Sequence, residues 1–282
     1  MDAPTVGVLR DVTLLVWLAL LIGVAAYKGV RLARPAACWN LGGRVEARSY
    51  SSADAIVVAA IGLLLLGGMR EAAPAATPGA DDAAAELSVG PLAGSIAIQL
   101  CFCAFLLFYL LAVRGLNPAD LFGLRQMHPL RAAGMALTFM VPTLIVVLGL
   151  SVGVNAWMQS FWPEVGAQDT VEAFRTSKDP AAKAMLVVAA VLVAPLVEET
   201  IFRGFIYGVL KRFTDGFFAA VCSALLFAVV HFHAGSLFPL AVLALMFCAA
   251  YEITGSLLVP MVMHSLFNST SIALMIFFPE AR

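Results

Sequence analysis

An all-α, polytopic membrane bundle with about eight transmembrane helices is the fold that this sequence of 282 residues predicts. Two observations carry that expectation. Apolar residues make up 62% of the chain and charged residues only 12%, a balance outside the range of water-soluble domains. Apolar runs close to 20 residues long, enough to cross the hydrocarbon core at 1.5 Å per residue, also recur from one end of the chain to the other. With 17 basic against 18 acidic residues there is no basic field for nucleic acid, so nucleic acid is not an expected partner and membrane lipid is. Four of the five cysteines, Cys101, Cys103, Cys222 and Cys248, lie within apolar runs as small hydrophobes; Cys38 stands in a loop, and no disulfide framework is implied.

The first span is Val12 to Val30, a retained anchor because its basic cluster follows rather than precedes it. The second is Ala53 to Gly68, the third Pro91 to Val113 and the fourth Ala132 to Val154. The fifth, Ala182 to Leu210, is longer than one crossing needs, which implies tilt or extension beyond the lipid. Phe217 to His233 and Leu237 to Glu252 are short and separated by Ala234, Gly235 and Ser236, which reads as a tight helical hairpin. The eighth span is Leu257 to Phe278. The loop from Glu71 to Ser88, rich in Ala, Pro and Asp, reads as flexible, and Asn155 to Pro180 interleaves Trp157, Phe161 and Trp162 with polar residues in the manner of an interfacial segment.

Lysine and arginine in short loops set orientation. Lys28, Arg31, Arg34, Arg44 and Arg48 follow the first span, Arg114, Arg125 and Arg131 the third, and Lys211 and Arg212 the fifth; the loops after spans two and four are acidic instead. A multi-pass protein with both termini on the non-cytoplasmic side is expected.

Ionisable residues at membrane depth are expensive and mark function by default. On the fifth span Glu199 and Arg203, four residues apart, share a helix face and can pair, while Glu198, turned by about 100°, faces elsewhere. His231 closes the sixth span one turn after Phe227, and His264 and Asn268 share a face of the eighth. Interhelical hydrogen bonding or an ion network would use the same residue types. Rise per residue places Glu198, His264 and His231 about 18, 20 and 22 Å from the cytoplasmic edge, so the three levels agree.

Glu198-Glu199-x-x-x-Arg203, Phe227-x-x-x-His231 and His264-x-x-x-Asn268 together resemble the CPBP (Abi) family of intramembrane proteases, which includes the type II CAAX prenyl endopeptidases. The resemblance covers residues 182–282, read as the catalytic helices of a single membrane domain whose other part, residues 1–181, holds four spans and their loops. It implies an intramembrane endopeptidase whose partner is a peptide or lipid-anchored protein substrate, cleaving membrane-associated or lipid-anchored polypeptides: Glu198, helped by His231, would activate a water, His264 and Asn268 would stabilise the oxyanion, and Glu199, Arg203 and Phe227 would support them. No cofactor is required on this reading; zinc, if bound, would lie on Glu198, His231 and His264, although the HExxH pattern is absent. The alternative is a non-proteolytic membrane scaffold or regulator with the same fold.

Overall fold

The computed structural model describes residues 32, 43–71, 88–161 and 169–277. The first predicted span, Val12 to Val30, Cys38, Trp162 and most of the loop after the second span lie outside them. Among the described residues the fold is helical and without strands. Its helices are α1 (Ser52–Glu71), α2 (Val89–Val113), α3 (Pro118–Leu121), α4 (Pro129–Phe161), α5 (Asp169–Thr176), α6 (Pro180–Phe213), α7 (Gly216–Val229), α8 (Ala234–Thr254) and α9 (Leu258–Phe277). Five of them, α2, α4, α6, α8 and α9, are long and apolar enough to cross a membrane, and α1 and α7 are shorter apolar helices.

Packing follows chain order. The α7–α8 hairpin is the most intimate pair, α4 lies across α8 and α9, and α6 is held between α2 on one side and α7 and α9 on the other. Large apolar side chains such as Ile98, Phe105 and Phe108 on α2 and Val141, Ile145 and Val152 on α4 point outward, which suits lipid as the surrounding solvent.

Two parts of the span map differ from expectation. The fourth span is not 23 residues followed by an interfacial loop: α4 continues for 33 residues through Trp157 to Phe161. The hairpin turn is residues 230–233, not Ala234 to Ser236, because His233 caps α8 by accepting the Ser236 N–H on Nδ1 at 3.1 Å. His231 is therefore in the turn itself, with Phe232 beside it at φ 51°. At 1.5 Å per residue the 14 residues of α7 rise about 21 Å, short of the roughly 30 Å hydrocarbon core, so this turn sits at membrane depth.

α6 is widened into i→i+5 turns over Ala189–Val193 and Thr200–Tyr207, on either side of the two glutamates. In such a turn the carbonyl of Ala190 would receive the N–H of residue 195, which is Pro195 and has none. Asn268 supplies the missing donor, its Nδ2 lying 2.7 Å from the Ala190 oxygen. One residue past Arg203, the Gly204 carbonyl accepts from the Tyr50 hydroxyl at 2.7 Å, and burial pushes that phenol well above its ordinary pKa, so it remains a donor. The Tyr50 ring lies flat enough on α6 that a Cβ at Gly208 would come within 2.5 Å of it.

Candidate active site

Glu199 and Arg203 form the dry floor of the site. Both side chains are fully buried, and Arg203 Nη1 donates to Glu199 Oε1 at 2.9 Å across one turn of α6. Its Nε and Nη2 reach no acceptor, but the guanidinium lies 4.3 Å from the Phe227 ring centre and 5.2 Å from that of Phe247, so aromatic faces cover the charge. The same Glu199 Oε1 meets His264 Nδ1 at 2.9 Å. One carboxylate oxygen thus orients both the arginine and the imidazole of α9.

Phe227 explains the aromatic position of the second motif. Its ring packs at 4.7 Å from His231 and 5.9 Å from His264 while also covering Arg203. Its carbonyl lies 2.7 Å from His231 Nδ1, and because a carbonyl only accepts, that nitrogen carries the proton. Both rings therefore have Nδ1 tied to an oxygen and turn Nε2 the other way.

Both Nε2 atoms turn toward Glu198. Glu198 Oε2 is 4.0 Å from His231 Nε2 and 3.9 Å from His264 Nε2, and it accepts no hydrogen bond from the protein. These separations exceed a direct hydrogen bond but suit one bridging water with contacts of about 2.8 Å. The three groups border a cavity of about 1080 Å³ that Asn268 also lines. The structure thus brings Glu198, His231, His264 and Asn268 to one cavity wall together with Phe227, with Glu199 and Arg203 packed behind them.

Zinc is the alternative that the sequence resemblance leaves open beside a reading that requires no cofactor. Two imidazoles and a carboxylate are the right donor chemistry, and each ring's other nitrogen has the acceptor that metal-bound histidines use. The spacing does not fit: ligand atoms around a tetrahedral zinc lie about 3.3 Å apart, whereas these are at 3.9 and 4.0 Å. Among the described residues no group of His, Cys, Asp or Glu has metal-holding spacing.

Sequence reasoning missed Phe247, whose ring stacks 5.4 Å from His264, because an aromatic within the apolar run of α8 carries no signal of its own. It also missed Gln99 on α2 and Asn155 and Gln159 on α4, which line the same cavity. Amides in otherwise apolar spans were the available clue.

Comparison with known proteins covers the same part of the chain. Residues 180–270 match the family model described as type II CAAX prenyl endopeptidase Rce1-like, a stretch running from the start of α6 into α9 and containing every motif residue. A Bacillus subtilis protein named "Putative membrane peptidase YdiL" is 31% identical over 85 residues, 30% of this chain. The match spans 35% of that relative's length. No solved structure matches. Over residues 180–270, then, the chain is similar to the type II CAAX prenyl endopeptidases that its three motifs resembled.

Proposed function

We propose that the protein is an intramembrane endopeptidase that hydrolyses peptide bonds of membrane-associated polypeptides through a water activated by Glu198. The observation that supports this most is the convergence of Glu198 Oε2 with two imidazole Nε2 atoms at 3.9 and 4.0 Å on the wall of a large cavity. A water between them would donate one hydrogen to Glu198 and the other to His231, leaving an oxygen lone pair for the scissile carbonyl carbon. As the C–O bond forms, the carbonyl π electrons become an oxyanion. Glu198, now protonated, gives that proton to the amide nitrogen as the oxyanion re-forms the carbonyl and the C–N bond breaks, releasing a carboxylic acid and an amine, between which the remaining acidic proton then passes.

Oxyanion stabilisation needs donors, and the geometry restricts them. Asn268 spends one amide N–H on Ala190 and keeps its second. His264 donates from Nε2 only when its ring carries two protons, since Nδ1 is already committed to Glu199. On this reading the reacting enzyme holds a Glu199–imidazolium pair, and Glu199 positions His264 as well as pairing with Arg203.

The test is peptide mapping of membranes carrying wild-type or Glu198→Gln protein at equal expression, with metal analysis of the purified protein. Peptides cleaved only by the wild type support the proposal. Identical peptide maps would instead favour a scaffold, and stoichiometric zinc whose chelation abolishes cleavage would replace the metal-independent mechanism.

A further inference from the structure

The cavity belongs to one end of the bundle, and the basic residues belong to the other. Its walls come from the N-terminal halves of α2 and α6, where Leu92, Ser95 and Ala190 lie, and from the C-terminal ends of α4 and α9, where Gln159 and Met275 lie. The start of α8 completes it, and exposed Glu172 and Arg175 of α5 border its mouth. These are the ends of the helices that alternate in direction toward a single face.

Among the described residues the opposite face is packed, with a small pocket of about 210 Å³ beside Arg44, Glu46 and Arg212. There the segment 43–50 packs between the C-terminal ends of α2 and α6, with Arg114 Nη2 donating to the Ser49 carbonyl at 3.2 Å and Arg212 Nε to that of Tyr50 at 3.3 Å. Leu257 N–H donates to the Phe122 carbonyl at 3.0 Å, and buried Lys211 bonds Glu252 and the Val45 carbonyl. This face carries Arg44, Arg48, Arg114, Arg125, Arg131 and Arg212, with Glu46, Asp120 and Asp215 among them, against Arg175, Lys178 and Lys183 on the cavity side; it is the lysine and arginine count, not net charge, that sets orientation. Short loops rich in lysine and arginine are retained in the cytoplasm, held by anionic lipid and by the membrane potential.

Resting on the protease reading above, we infer that the catalytic cavity opens away from the cytoplasm and that its substrate is a membrane-anchored polypeptide whose scissile segment lies in the outer half of the bilayer. A lipid-anchored C-terminus approaching from the cytoplasm would meet the packed, arginine-rich face. The outer side offers the route to Glu198, past Gln99, Asn155 and Gln159, whose side-chain amides can satisfy the backbone groups of an extended peptide where lipid cannot.

The experiment uses full-length protein in a Cys38→Ser background with either Lys178→Cys or Arg125→Cys, both exposed and outside the cavity lining. Intact cells treated with a membrane-impermeant maleimide should label the Lys178→Cys protein and should label the Arg125→Cys protein only after lysis. The reverse pattern, or equal labelling of the two, overturns the inference. A palmitoylated, internally quenched peptide is then added outside vesicles reconstituted with the same proteins. Its hydrolysis should track the fraction of molecules whose Lys178→Cys thiol is labelled from outside; hydrolysis tracking the Arg125→Cys fraction overturns the substrate assignment. Absence of hydrolysis even in detergent defeats the protease reading and with it the substrate assignment, while the labelling still decides orientation.

Discussion

At the basic end Asp54 has both carboxylate oxygens filled, by Tyr109 and Arg114 at 2.9 and 2.8 Å on one and by the Ser51 N–H at 2.6 Å on the other. At the cavity end Glu198 has an oxygen that accepts nothing from the protein and looks across about 4 Å at two imidazoles. Similar side chains in the two places serve opposite ends. A paired carboxylate ties helices together; Glu252 and Glu199 also keep one unpartnered oxygen each, but of the three only Glu198 lines the cavity, where such an oxygen can take a proton from a bound water. Glu199 joins the two conditions, since a fully buried pair with Arg203 also fixes the imidazole that faces the cavity.

Substitutions can break that contrast, and Glu198→Gln should do most. Removing a general base typically costs 10²–10⁴-fold in rate, so hydrolysis of the quenched peptide in detergent should fall by about that factor with the melting temperature unchanged. A rate near wild type would remove Glu198 from the chemistry. Arg203→Ala strands Glu199 in a dry interior and should destabilise the protein by about 3–5 kcal/mol, read as lost yield and a lower melting temperature. Stability like that of the wild type would show that the Phe227 and Phe247 faces, not the ion pair, hold this region together.

At the packed end the effects should be smaller and confined to stability. Lys211→Met leaves Glu252 with the Tyr207 hydroxyl alone and should cost about 1–3 kcal/mol in thermal unfolding. Activity per folded molecule should be retained; a fall in kcat would mean that the two ends are coupled. Tyr50→Phe removes one buried hydrogen bond to Gly204 and should cost about 1 kcal/mol. A larger loss would indicate that Tyr50 sets the widened turns that carry Arg203.

Much of this arrangement was legible in the chain. The Glu199–Arg203 pairing follows from four-residue spacing on a helix, and the divergence of Glu198 from helical rotation alone. Other parts are set by contacts far apart in sequence. Nothing near Asn268 indicates that Pro195 deprives Ala190 of a donor 78 residues away, and nothing near His264 indicates that Glu199 is its partner. The early end of α7 was hidden because Val230 to His233 continue an apolar, helix-compatible run. Only the His233 cap on the following helix and the positive φ of Phe232 mark the turn, and neither shows in hydropathy.

Because α7 stops short of the full hydrocarbon thickness, one of the two reactants would never have to wait. On the proposed mechanism each bond broken would consume a water, and the cavity beside the turn would hold solvent near Glu198 without any door having to swing. The slow partner would be the polypeptide, which must give up its own helical hydrogen bonds before a single amide can lie across the carboxylate. Turnover would then follow how readily an anchor unravels, making glycine- or proline-interrupted segments good substrates and long uninterrupted helices poor ones.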